Sequence, residues 1–259
     1  MSKKTICYDD PAKDDFAKNG LDKTHIPADF PFAETDVFHR ISEFLLYRVV
    51  AMPIVFLISK LGFGLRVKNR RALRGLGGTG FYLYGNHTQG MMDAYIPTLA
   101  VFPRHAHIVV GSQAVSNPAL RFLVCRLGGI PTPSTICGMR SFANALSLRI
   151  KEKRVVTVYP EAHIWPWYTG IRPFPDTSFT YPVKDGVPAV AFVTTYRRRR
   201  IFSNLPPCLT VTLSEPFYPD ASLEAPEARK KLCGNVYDFM CREAARCDNY
   251  AYYSYIKKE

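Results

Sequence analysis

The stretch FYLYGNHTQGMMDAYIPTLAV, Phe81 to Val101, reads as a strand, a small-residue turn and a helix in direct succession. Phe81 to Tyr84 are large and apolar or aromatic, which suits a pleated surface, and the run stops where Gly85 begins a polar turn. Apolar spacing resumes from Met91 to Val101, at helical intervals. The same alternation continues along the chain. His107 to Val110, Val155 to Tyr159, Ala189 to Thr195 and Leu209 to Leu213 read as strands, while Pro118 to Leu127, Met139 to Glu152 and Ala225 to Arg246 read as helices. Phe142, Leu146 and Ile150 recur four residues apart, and Leu232, Val236 and Met240 do the same behind Pro226, a first-turn proline. Strand and helix in alternation predict an α/β fold: a mixed, mostly parallel sheet flanked by helices. No composition shift divides residues 36–259, which are expected to form one domain. Residues 1–35, polar with mixed charges and prolines, read as an arm or a short cover.

Upstream of the alternating region, Asp36 is placed to cap a helix carrying Phe38, Ile41, Phe44, Leu45 and Val49 at three- and four-residue spacing. Glu43, Arg48, Lys60 and Pro53 interrupt this apolar stretch, and the charge-free run Val49 to Ser59 is about half of the roughly 20 residues a membrane span requires. Region 36–65 is therefore expected to be an amphipathic helix lying on a membrane surface, the alternative being a buried core helix kinked at the proline. A formal net charge of +12 favours anionic surroundings, here anionic lipid. The basic run Arg197 to Arg200 suits the same partner, whereas nucleic acid is not expected because no recognition helix or stacking platform accompanies it. The seven cysteines include no C-x-x-C pair and read as reduced thiols, and MSKKTICYDDPAKDD has no hydrophobic signal core. The expected location is peripheral or monotopic, on the cytoplasmic face of a membrane.

Three segments could carry chemistry. His87 follows a predicted strand, at the sheet edge where α/β folds place their clefts, and Asp93 is a carboxylate that could set its tautomer. The plainer reading is a turn histidine with a helix-start aspartate serving the helix dipole. In VVTVYPEAHIWPW, Val155 to Trp167, Pro160 ends a strand and leaves Glu161 at its edge. Asp185-Gly186-Val187-Pro188 is a turn that opens another strand.

Taken together, Asn86 to Asp93, Gly128 to Ser134, Tyr159 to Ala162 and Gly186 to Val190 resemble, in order and spacing, the four motifs of the glycerolipid acyltransferase family, the lysophosphatidate acyltransferases. The resemblance spans about residues 38–215. It implies that His87 is a general base oriented by Asp93. A lysophospholipid hydroxyl, that of 1-acylglycerol-3-phosphate first, would then attack the thioester of acyl-CoA or an acyl carrier protein, without an acyl-enzyme, a metal or another cofactor. It also implies that Glu161 and nearby basic groups hold the acceptor, beside Gly129 and Ile130 of the second motif. Two departures stand out. Five residues separate His87 from Asp93 where the family has four, and six positions on an ideal helix turn about 240°. The pair can meet only through a bend, expected at Gly90. Further, the arginines of the second and third motifs are missing, which leaves Arg140 and Arg172 as candidates for the acceptor phosphate. A different lipid or amine acceptor, or a lipid-binding protein without catalysis, are the alternatives.

Other patterns fail their context. Gly75, Gly77 and Gly80 fit G-x-G-x-x-G but precede a strand instead of following one. No G-x-S-x-G elbow is present. His105 and His107, two positions apart and so on one face of a strand, could join His163 as metal ligands, but their spacing is not that of a zinc site, and no metal is expected.

Overall fold

The computed structural model describes residues 4–16, 24–34, 36–246 and 248–258. In chain order the elements are β1 (Lys4–Tyr8), α1 (Val37–Phe44), a π-helical turn (Leu45–Ala51), α2 (Met52–Leu61), β2 (Arg66–Lys68) and β3 (Phe81–Gly85). A 3-10 turn (Met92–Ala94) leads to α3 (Ile96–Val101), β4 (Ala106–Val110), α4 (Pro118–Arg126), β5 (Gly129–Pro131) and α5 (Ile136–Lys151). There follow β6 (Val155–Val158), α6 (Thr180–Asp185), β7 (Ala189–Arg197), β8 (Cys208–Leu213), α7 (Ala225–Ala244) and β9 (Tyr253–Lys257). The main sheet runs β2-β8-β7-β3-β6-β4-β5, and only the β7–β8 pairing is antiparallel. This is the mixed, mostly parallel α/β sheet that the alternation predicts.

Its core is split by the period of two in the strands. Tyr82, Tyr84, Val156 and Ala191 face Phe142 and Leu146 of α5 and Val236 and Met240 of α7. Phe81, Leu83, Val190 and Phe192 face the other way, onto Ile96 and Leu99 of α3 and Met52 and Val55 of α2. The strands are buried on both faces, which is why they read as nearly continuous apolar runs.

The N-terminal arm is part of this packing. Ile26 and Phe32 are buried in the first of the two clusters, and β1 pairs in parallel with β9 in a separate two-stranded sheet.

The first helix departs from expectation. It runs unbroken from Val37 to Leu61, 25 residues or about 37 Å. Pro53 does not break it, because the π turn ahead of the proline widens the backbone where an α turn would clash: Met52 N–H bonds to the Tyr47 carbonyl, five residues back. The helix is also inverted in polarity. His39, Glu43, Tyr47 and Ser59 are buried, while Phe38, Ile41, Phe44, Val49, Ile54 and Leu57 are more than half exposed. Its most apolar 18-residue window has a mean hydropathy of 2.0, and only 17% of that window is buried. By length and composition this helix could cross a membrane, contrary to the expectation of an interrupted segment.

Its polar face locks onto β4. Glu43 lies 3.3 Å from His105 and 3.9 Å from His107, and the Tyr47 ring stacks on His105 with centroids 3.7 Å apart. His163 is not part of this group; it faces Asp15 at 3.4 Å. The ligand atoms of Glu43, His105 and His107 lie within 4.8 Å of one another, but Arg154 Nη1, 3.8 Å from Glu43 and bonded to His105 Nδ1, already brings a cation to that carboxylate.

Burial, with Arg154 next, pushes His105 down to about 2, and His107 is likewise held well below its usual range. The native imidazole of His105 thus stays neutral while the unfolded one protonates below about pH 6.5, so stability is lost as pH falls. Between pH 7 and pH 5 the loss from His105 is about 2 kcal/mol. In urea titrations the stability gap between wild type and His105→Gln should narrow by about that much over this interval. A gap independent of pH would mean that His105 protonates freely in the folded chain.

Candidate active site

β3 lies at the centre of the sheet, and the chain leaves its C-terminal end at Gly85 into the loop that carries His87. A Cβ at Gly85 would lie 2.0 Å from the Phe192 ring, so the close strand contact demands glycine there. Asn86 then clips the loop to β7, donating to Thr194 O (3.1 Å) and accepting from Thr194 N–H (2.8 Å).

His87 Nδ1 and Asp93 Oδ2 are 2.7 Å apart. The same carboxylate oxygen accepts from Gln89 N–H at 2.8 Å, so it faces two donors when Nδ1 carries its proton. That tautomer leaves Nε2, which has no hydrogen-bond partner among the described residues, as the basic nitrogen. The His87 side chain is 18% exposed and that of Asp93 is 2% exposed. Burial pushes the Asp93 carboxyl above its ordinary range, against the pull of His87 and the Gln89 and Thr88 amides.

The extra residue between the pair is accommodated differently from the expectation. Gly90 is not in the left-handed region, and a Cβ there would meet nothing within 4 Å. The bend does not depend on glycine. It comes instead from breaking the helix expected over Met91 to Val101: Asp93 sits in the 3-10 turn, and α3 restarts at Ile96 with Pro97 in its first turn. Pro97 has no N–H to close on the Asp93 carbonyl. That carbonyl accepts the Tyr159 hydroxyl instead, at 2.6 Å.

Tyr159 is the residue that sequence reasoning left without a role. Its ring stacks on His87 with centroids 4.5 Å apart at 18°, fixing the imidazole plane while its hydroxyl fixes the Asp93 turn. The available signal was its place at the end of a strand, directly before Pro160-Glu161.

Glu161 is buried beneath this loop. Oε2 accepts from His87 N–H at 3.1 Å and from the Arg172 guanidinium at 3.1 Å, and Oε1 accepts from Arg172 N–H at 2.9 Å. Burial raises the carboxyl, and Arg172 is the largest opposing influence. Arg172 is 1% exposed and also donates to the carbonyls of His163 and Pro11. The two candidate acceptor contacts are thus bonded to each other and to the His87 backbone.

The loop after Glu161 is tied in too: Trp165 N–H donates to His87 O (3.1 Å) and Trp167 N–H to Thr88 O (2.9 Å). Ala162 stands in the left-handed region at φ 62°, a conformation that favours glycine. Trp165 is fully buried, its Nε1–H donating to Asp14 O and its ring stacked on Tyr255 at 5.0 Å, so the N-terminal arm and β9 cover it.

The remaining candidates lie further away. Gly129 and Ile130 are in β5, the edge strand three positions from β3, about 14 Å across the sheet. Arg140 is exposed near the start of α5, the helix that follows β5, and is therefore on the same sheet edge as His87.

The chain is similar in fold to a solved structure, the crystal structure of the 1-acyl-sn-glycerophosphate (LPA) acyltransferase, PlsC, from Thermotoga maritima. The two share 18% sequence identity over 81% of this chain and 88% of that one, with a TM-score of 0.55. At that identity the likeness is one of fold. No family model matches the chain, and no curated protein matches it.

Proposed function

We propose that this protein is a membrane-surface acyltransferase that moves an acyl chain from a thioester to the hydroxyl of a lysophospholipid. The observation that carries the reading is the 2.7 Å contact between a partly exposed His87 and a buried Asp93 at the C-terminal end of the central strand. The similarity of fold to a solved acyltransferase supports it.

In this reading His87 Nε2 takes the acceptor's hydroxyl proton as the oxygen attacks the thioester carbonyl. Asp93 stabilises the imidazolium that forms. When the tetrahedral intermediate collapses, the C–S bond breaks, the new C–O ester remains, and the imidazolium returns its proton to the departing thiolate. No covalent acyl-enzyme and no cofactor take part. The Glu161–Arg172 pair, through the His87 N–H, acts as a positioning pair under the loop. Arg140, exposed near the start of α5, is then the arginine left for the acceptor's phosphate. A 1-acylglycerol-3-phosphate is the acceptor that such a contact favours.

The inverted helix 37–61 supports a monotopic seat in the bilayer. Its exposed aliphatic and aromatic face would lie in the acyl region while Glu43 and Tyr47 hold it to the domain. The free thiols of the described cysteines accord with the cytoplasmic side.

One experiment addresses both parts. The purified chain is mixed with vesicles containing a panel of lysolipids and a radiolabelled acyl thioester, then floated. Co-flotation with product formed on lysophosphatidate is the expected result. Product on an amine acceptor alone would overturn the acceptor, and absence of product on every acceptor would overturn the activity. A chain left at the bottom of the gradient would overturn the membrane seat.

A further inference from the structure

Arg197 to Arg200 leave the end of β7 and, with Arg66 of β2, line a surface pocket of about 600 Å³. Register places Arg66 beside them, since Arg66 pairs with Thr210 and Thr210 with Thr195. Five arginines thus line one concavity. The one carboxylate that lines it, Asp248, is already within 4.0 Å of Lys68 and 3.5 Å of Arg246.

Two of the arginines are fixed in place. Arg197 donates to Thr210 Oγ1 (2.7 Å) and to Gly64 O (2.7 Å), and Arg199 donates to Pro206 O (2.6 Å) and to Gly62 O. The side chains of Arg66, Arg198 and Arg200 make no hydrogen bond or ion pair with the described residues, and all three residues are exposed. Like charges crowd here: burial lowers the Arg197 guanidinium, and Arg66 and Arg199 lower it further. Such crowding costs stability unless an anion relieves it.

The pocket also has a defined relation to His87. Thr194, three residues before Arg197, is the partner of Asn86, and Tyr196 Oη donates to Thr88 Oγ1 at 2.7 Å. Along an extended strand, Arg197 to Arg200 therefore lie about 10 to 20 Å beyond the Thr194–Asn86 contact, on the same edge of the sheet as His87. That is the span of an extended pantetheine arm.

We propose that this arginine pocket binds the nucleotide phosphates of a coenzyme A thioester and so forms the donor site of the reaction proposed above, on which reading it rests. Planar guanidinium groups suit phosphate oxygens, two of the five are already held by backbone carbonyls, and the pocket's volume suits a nucleotide. An anionic lipid headgroup offers the same phosphate chemistry without the tether.

The test uses the full chain and the variant Arg198→Ala/Arg200→Ala, which removes two exposed, unpartnered side chains. Calorimetric titration with coenzyme A, its 3′-dephospho form and pantetheine should give progressively weaker binding to the wild type. The variant should bind coenzyme A about tenfold or more weakly and pantetheine unchanged. In turnover, KM for acyl-CoA should rise by a similar factor, with kcat kept and acyl-pantetheine turnover unaffected. Unchanged affinity for coenzyme A in the variant would overturn the proposal, whether the affected ligand turned out to be phosphatidylglycerol vesicles or an acyl carrier protein. Arginine-dependent binding of coenzyme A without transfer to any acceptor would instead overturn the proposed activity and leave the pocket standing.

Discussion

His87→Ala is expected to lower the kcat of acyl transfer by about two to four orders of magnitude, the range removed with a general base, or roughly 3 to 5.5 kcal/mol of barrier. Asp93→Asn should cost a comparable factor by a different route. The buried Asp93 Oδ2 accepts from both His87 Nδ1 and Gln89 N–H. An asparagine accepts in that place only as a neutral oxygen, and turned over it presents its amide donor to both, so either the imidazolium loses its counter-charge or the imidazole loses the tautomer that leaves Nε2 basic. Because the two residues act as one unit, the double variant should lose little more than His87→Ala alone. Circular dichroism and urea unfolding establish that each variant is folded before rates are compared. A fall of less than tenfold in His87→Ala would remove His87 from the role of base, and additive losses would show that Asp93 does not work through it.

The largest effect on stability belongs to Arg172→Met. Arg172 is 1% exposed, and removing its guanidinium leaves the buried Glu161 carboxylate with backbone donors alone, the His87 and Arg172 N–H groups. Breaking one side of a buried ion pair costs about 3 to 5 kcal/mol, a large part of the 5 to 15 kcal/mol that holds a typical domain together. Urea unfolding at pH 7 measures it. Adding Glu161→Gln should restore most of the loss, because the uncompensated charge is then gone.

The pH dependence has a defined sign. Burial raises the Glu161 carboxyl, so the native state holds its proton at a pH where the unfolded chain has released it. The penalty in Arg172→Met is therefore full at neutral pH and fades as pH falls toward the unfolded carboxyl value of about 4.3. A single variant within 1 kcal/mol of wild type would show that Glu161 does not depend on its arginine.

Much of the fold was legible without coordinates, because the cues are local. β3, β4, β6, β7 and β8 fall within two residues of the runs read from the sequence, and α5 and α7 follow their apolar stripes. The approach of His87 to Asp93 was also legible, though its means was not. The linear pattern points to a turn at Gly90, whereas Pro97, four residues beyond Asp93, frees the carbonyl that Tyr159 then occupies. Proline chemistry misled in the opposite direction at Pro53, where a π turn lets the helix pass.

What the sequence determined by itself is the α/β alternation, the strand-end position of His87 and the apolar character of helix 37–61. Periodicity, turn chemistry and proline geometry act over a few residues, and a linear pattern carries them. Only the tertiary structure decided the partners. Glu161 is 74 positions from His87 and Tyr159 is 66 from Asp93, and each is committed by burial to a group that no spacing identifies. A glutamate at a strand edge looks the same in a linear reading whether it faces a substrate or an arginine beneath the loop. A buried charge must find its counter-charge and a buried carbonyl its donor, and which ones are within reach is settled when the strands take their order in the sheet.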